Sequence, residues 1–331
     1  MGLPKSSLIQ RITYSTSPRL GYILIITAAA LAGLVHSIAK PMLGGVDTNI
    51  VEIHPLTLAA VIFIINGLFF TPFRRKATSE SKLDKRKILL LSLIGIAEVS
   101  AVITYFSGLK ETTAVNASIL ANGEIMFSVI VAAIIFRERL QRKEVFPFSL
   151  IIAGAAALPV GYDIYQHGIA FSNLVFGDLL VLLSGLFYAL DINISKYASD
   201  RIDARKITQI TSFVGGGFAI FLIFILQIPY NISLSHIPNI AIIGIFGTGL
   251  STFFFLIALR LIGAIRSILL YSSTSVFGVI FAAILLHENI TITNISSIIV
   301  VSIGLYLLRQ RFGKDEKTVN ELRSKFKHGQ I

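Results

Sequence analysis

Long apolar runs separated by short polar interruptions dominate this chain, a pattern that predicts membrane-crossing helices rather than strands or a soluble core. The runs place helices near residues 20–39, 55–73, 88–109, 113–136, 145–162, 175–197, 207–228, 238–259, 264–286 and 291–308. Each is close to the ~20 residues that cross the hydrocarbon core of a bilayer. The expected fold is therefore an all-α polytopic membrane protein with ten transmembrane helices. Lys5, Arg11 and Arg19 precede the first run like the basic leader of a signal peptide. The run is too long for one and no convincing cleavage site follows, so it is expected to be a retained helix.

Composition agrees. Of 331 residues, 54% are hydrophobic and 14% charged, with a mean hydropathy of +0.78, which leaves no room for a large extramembrane domain. The absence of cysteine excludes disulfides, thiol chemistry and cysteine-ligated metal. A net charge of +11 would suggest nucleic acid in a soluble protein. Here the placement of the charges explains it. Sorting the loops alternately between two sides puts every Lys and Arg except Lys40 and Lys110 on one side, together with both ends of the chain. Positive residues stay cytoplasmic during insertion, so both termini are expected in the cytoplasm and no nucleic-acid partner is needed.

The chain also repeats itself. Shifted by 150 residues, 105–138 aligns with 255–288 without a gap, and ten of 34 positions are identical. Apolar matches such as Leu109 with Leu259 and Ile130 with Ile280 are weak alone; the glutamates that close both runs, Glu138 and Glu288, are stronger. Five helices separate the copies, and an odd number turns the second copy upside down. Inverted repeats of this kind are a recurring transporter architecture, with the site near the midplane where the halves meet. The expected organisation is a first five-helix repeat at 1–165, a second at 166–310 and a basic cytoplasmic tail at 311–331.

The stretches YFSGLKETTAVNASILANGEIMFSVIVAAIIFRERL and FFLIALRLIGAIRSILLYSSTSVFGVIFAAILLHE resemble the helix pair that occurs once per half in the drug/metabolite transporter superfamily, specifically its EamA-type branch. The resemblance covers nearly the whole chain. It implies a carrier with a central cavity lined mainly by the first, third, fourth, sixth, eighth and ninth helices. One feature departs from the family. Where its members often carry Glu-Pro in the fourth helix, this chain has Glu124-Ile125, and the ninth helix has Thr274-Ser275, so no proline kink is expected.

An ionisable side chain near the centre of a spanning helix costs roughly 2.5–3.5 kcal/mol on insertion scales, which marks it as a candidate for function. Glu98 and Glu124 occupy such positions in the third and fourth helices. Each carboxyl can carry a proton or pair with a cation; alternatively it is a neutral hydrogen-bonding link between helices. Glu124 also matches the family's glutamate. Helical spacing groups Ala117, Ala121, Glu124, Ser128 and Ala132 on one face, and the repeat matches this with Ser267, Tyr271, Thr274, Gly278 and Ala282. Small residues there serve close packing or leave room for a ligand.

Gly95, Glu98 and Tyr105 share a face of the third helix, and Tyr105 is a substrate contact or an interfacial anchor. His36, whose charge changes nearest neutral pH, shares a face with Ala29, Gly33 and Lys40. On the sixth helix Ser184, Tyr188, Asp191 and Ser195 align, with Lys196 close enough to Asp191 for snorkelling or pairing. Asn122 and Asn193 are expected to bond between helices. The candidate substrate or proton-coupling residues are therefore His36, Glu98, Tyr105, Glu124, Tyr188, Asp191, Tyr271 and Thr274. No catalytic residue, metal ligand or cofactor is expected. Capping or ion pairing is the expected role of Glu138 and Glu288, close helix approach that of Gly215-Gly216-Gly217, and Val319, Leu322 and Phe326 suit an amphipathic or a disordered basic tail.

The midplane charges are acidic, whereas a carrier of phosphates or nucleotide sugars would set cationic groups in its pocket. Neutral, zwitterionic or cationic metabolites fit better, unless Lys40, Lys110, Lys196, Arg260 or Arg266 reaches inward. The expected function is secondary active transport by alternating access, in the direction of export, coupled to protons through Glu98, Glu124 or both, in the plasma membrane. The expected partners are a small-molecule substrate and the lipid bilayer, with a homodimer left open. A membrane-embedded enzyme is the rival reading, but no His-Glu-x-x-His stretch and no serine elbow is present. A structural or signalling membrane protein would not require a duplicated fold with buried carboxyls.

Overall fold

The computed structural model describes residues 18–44, 52–72, 84–135, 142–157, 173–199 and 202–307, with 161, 164 and 165. Regular structure among the described residues is entirely helical. In chain order, α1 is Pro18–Leu43, α2 Pro55–Phe70 and α3 Lys85–Glu111. Two segments, Ala114–Leu120 and Gly123–Ile135, make α4; Arg142–Ile152 and a wider π turn at Ala153–Ala157 make α5. Then come α6 (Asn173–Ser199), α7 (Ala204–Leu226) and α8 (Leu234–Ile262). Two further segments, Ala264–Tyr271 and Thr274–Leu285, form α9, and α10 is Ile292–Leu307.

Local chemistry sets these boundaries. Pro55 opens α2, and Nδ1 of His54 accepts the Leu56 amide N–H at 3.2 Å. Asp84 and Asp203 accept the Lys85 and Arg205 amide N–H groups at 2.7 and 2.9 Å, and the Thr113 hydroxyl accepts that of Asn116 at 3.1 Å. Gly263, at φ +84°, separates α8 from α9 in a conformation that L side chains rarely adopt.

Six helices, those at Arg19–Leu43, Lys85–Glu111, Val175–Ser199, Ala204–Leu226, Leu234–Ile262 and Arg266–Leu285, are long and apolar enough to cross a membrane. The chain is a multi-pass membrane protein. Ile23, Leu89, Phe224 and Ile284 remain exposed on the outside of the bundle, as side chains facing lipid do.

Helix contacts come in pairs that exchange each helix with the one five places away. As α3 packs on α6, so α8 packs on α1; as α4 packs on α6, so α9 packs on α1; α2 with α7 and α4 with α9 are their own counterparts. One apolar cluster includes Leu43, Phe106, Leu109 and Ile119, and a second includes Ile25, Ile94, Leu256 and Ile262. Along α3, Glu98 falls between the two clusters, whereas Tyr105 belongs to the first.

Both α4 and α9 are broken within one residue of the same repeat position, at Ala121–Asn122 and Ser272–Ser273, although neither contains proline. The absence of a proline kink therefore does not mean an uninterrupted helix. Polar side chains near the break turn back on the carbonyls three residues earlier. Asn122 Nδ2 donates to Ile119 O at 3.2 Å, Ser272 and Ser273 hydroxyls to Leu269 O and Leu270 O at 2.7 Å each, and Thr274 to Tyr271 O at 2.6 Å. Backbone bonds tighten likewise: Glu124 N–H reaches Ala121 O at 3.2 Å and Ser275 N–H reaches Ser272 O at 3.3 Å. Such competition for helix carbonyls bends helices.

Gly215 fits the expected close approach, since a Cβ there would lie 2.9 Å from the Gly95 carbonyl oxygen of α3. Gly217 faces open space. Glu138, the basic segments at 1–17 and 73–83, and the tail with Val319, Leu322 and Phe326 lie outside the described residues.

Candidate functional site

The eight residues singled out from sequence all line one cavity of about 130 Å³ at the broken points of α4 and α9. Helix α1 contributes His36, α3 contributes Glu98 and Tyr105, and α4 contributes Glu124 immediately after its break. Tyr188 and Asp191 come from α6, Tyr271 and Thr274 from either side of the break in α9. The α6 approach is close because Gly185 has no side chain: a Cβ there would sit 2.8 Å from the Glu124 amide nitrogen.

Three of the lining residues carry carboxyls. Glu98 is 7% exposed, with the Thr211 and Thr252 hydroxyls presented to its carboxyl. Asp191 interacts electrostatically with both Glu98 and Glu124, and it accepts the Ser195 hydroxyl at 2.9 Å. Of the two expected roles of Lys196, snorkelling or pairing with Asp191, its exposed position fits the first, while Asp191 takes the Ser195 hydroxyl one turn along α6. Asn122 lines the cavity while bonding within α4, and Asn193 Nδ2 donates to Ala189 O at 2.8 Å within α6. Their amides serve their own helices rather than linking neighbours, because each reaches a carbonyl one turn back more readily than a partner across the interface.

Among the described residues, no other lining residue carries a carboxyl. The Tyr105 hydroxyl and His36 Nδ1 are hydrogen-bonded, while His36 Nε2 is buried with no hydrogen-bond partner among the described residues. The Tyr271 hydroxyl meets that of Ser251 at 3.3 Å, and its ring lies 4.8 Å from Phe255.

Among the described residues, no Lys or Arg belongs to this lining. Lys40 Nζ donates to the Leu109, Lys110 and Thr112 carbonyls at 2.8, 3.0 and 2.7 Å and so caps α3. Lys110 pairs with Glu52 at 3.0 Å, and the Arg260 guanidinium donates to the Ile202 carbonyl. Glu288, expected to cap or pair, accepts the Ala114 and Val115 amide N–H groups at 2.9 Å each, clasping the start of α4.

Thr248, Thr252 and Phe255 on α8 also line the cavity, and composition alone did not mark them. The repeat could have. Shifted by 150 residues, they are the counterparts of Glu98, Val102 and Tyr105, just as Ser272 is the counterpart of Asn122.

A mostly apolar cavity that holds three carboxyls between membrane-crossing helices, at the meeting point of two interrupted ones, has the features of a membrane transporter site. The model of the EamA-like transporter family matches residues 19–158 and again 175–310. The chain belongs to that family. An uncharacterized transporter of Methanothermobacter thermautotrophicus (strain Delta H) is 34% identical over 302 residues, covering 87% of this chain and 85% of that protein. A solved crystal structure shares the fold at a TM-score of 0.61, with 17% identity over 88% of this chain and 96% of its own.

Proposed function

We propose that the protein is a secondary carrier that works by alternating access and exports small neutral, zwitterionic or cationic metabolites across the plasma membrane. In this reading ten helices form two inverted five-helix repeats, at 1–165 and 166–310, with both termini cytoplasmic. The site does no chemistry on its cargo. The supporting observation is that Glu98, Glu124 and Asp191 face one buried cavity whose lining, among the described residues, holds no Lys or Arg. Three carboxyls in a low-dielectric cavity need compensating positive charge, supplied by protons or by the cargo. Exchange of one for the other couples cargo to a proton gradient. The helix contacts that interchange positions five apart support a rocking motion of the two halves about this site.

Uptake into proteoliposomes, with and without a pH gradient, tests the coupling. A gradient should accelerate flux in the wild type, and Glu124→Gln should abolish the acceleration. Flux indifferent to both would refute proton coupling. Surface labelling of single cysteines at the two ends tests the topology in this cysteine-free chain; ends on opposite faces would contradict the inverted repeat.

A further inference from the structure

Repeat-related positions in the cavity differ chemically. Positions related by the repeat carry Glu98 against Thr248 and Glu124 against Thr274, and Asp191 on α6 joins the first of each pair because α6 packs on α3 and α4. All three carboxyls thus sit on helices that pack together. The same lining holds Thr248 and Thr274, whose hydroxyls donate to the Gly244 and Tyr271 carbonyls, the rings of Tyr271 and Phe255, and His36, which is 6% exposed with Nε2 unpartnered among the described residues.

We infer that the cargo is a small organic amine of net positive charge with an apolar or aromatic body. Its ammonium group lies against Glu98, Glu124 and Asp191, and its body lies against Tyr271 and Phe255, with His36 Nε2 meeting any polar substituent. This deepens, and rests on, the reading of the cavity as a transport site. An ammonium beside these carboxyls donates charge-assisted hydrogen bonds to them, and the aromatic faces of Tyr271 and Phe255 in the same lining attract the same cation. A zwitterion fares differently. Its carboxylate would be desolvated without a cationic partner, because Lys40, Lys110 and Arg260 are held elsewhere by the contacts above. An uncompensated buried charge of that kind is costly. The three carboxyls therefore select amines over the amino acids from which they differ by one carboxylate.

Matched pairs test this on the full-length protein: tyramine against tyrosine and agmatine against arginine, with 4-ethylphenol as the neutral analogue of tyramine. Binding is read as thermal stabilisation in detergent, and flux as uptake or counterflow in proteoliposomes. The amine of each pair should bind at least about tenfold more tightly than its amino acid, and Glu98→Gln should erase most of that preference. Asp191→Asn provides an independent variant should the first fold poorly. Equal or reversed preference overturns the inference, as does stabilisation by 4-ethylphenol without stabilisation by tyramine; flux of the preferred solute would then still support a carrier. Failure of every probe to bind also overturns it. Selective amine binding that needs Glu98, without flux of the amine, would uphold the inferred ligand class and overturn the carrier reading.

Discussion

The carboxylate of Glu288, at the far end of α9, closes on the backbone amides of Ala114 and Val115, 174 and 173 residues earlier in the chain. Both bonds are 2.9 Å, and the groups they satisfy would otherwise be unpaired amides at the start of α4. Charge-assisted bonds of this kind contribute about 1.5–3 kcal/mol each to a charged partner. Glu288→Ala should lower the thermal unfolding midpoint in detergent, and Glu288→Gln, which keeps only one acceptor oxygen, should lower it less. A cysteine at position 115 should label faster in either variant. An unchanged midpoint together with unchanged labelling would mean that the clasp does not hold these helices.

Lys40 provides the complementary contact at the end of α3. The residue is 8% exposed, and its ammonium meets three carbonyl oxygens, groups that a helix C-terminus leaves without intrahelical partners. Lys40→Met keeps much of the apolar stem but removes the three bonds. A loss of about 2 kcal/mol or more is expected, measurable by reversible unfolding in mixed micelles. Transport selectivity should persist in whatever folded protein remains, because Lys40 lies outside the cavity lining.

The helices of this fold were readable from apolar run length, and the family from the glutamates and small residues that recur at a shift of 150. That the eight candidate side chains line one cavity accords with the way an ionisable or hydroxylated group stands out in an apolar helix. Partnerships were less legible. Asp191 has Lys196 five residues on and Ser195 four residues on; periodicity allows either, and the choice depends on side-chain reach and the desolvation of the ammonium. The breaks in α4 and α9 were hidden for a similar reason. Proline announces a kink by type, whereas Asn122, Ser272, Ser273 and Thr274 cause one only by where their side chains turn.

Two neighbouring glycines on α7 separate packing from composition. Gly215 lies against the Gly95 carbonyl and the Phe63 ring, while a Cβ on Gly217 would meet nothing within 4 Å. Gly215→Val should force α7 from α3 and destabilise by about 1–3 kcal/mol. Gly217→Val should be close to neutral by the same thermal assay. Equal sensitivity would show that backbone flexibility rather than helix approach is what these glycines supply.

The buried pair of Tyr105 and His36 joins α3 to α1 at the cavity, with ring centroids 5.2 Å apart. Tyr105→Phe leaves Nδ1 of His36 without its hydroxyl, and His36→Leu leaves the hydroxyl without the ring. Either change alone strands a buried polar group and should destabilise by about 1–3 kcal/mol. The double variant strands neither, so its loss should fall short of the sum by about 1 kcal/mol or more. A double-mutant cycle of unfolding free energies measures this directly. Strict additivity would show that the two side chains act independently, and that His36 is oriented toward the cavity by the packing of α1 on α9 rather than by the tyrosine.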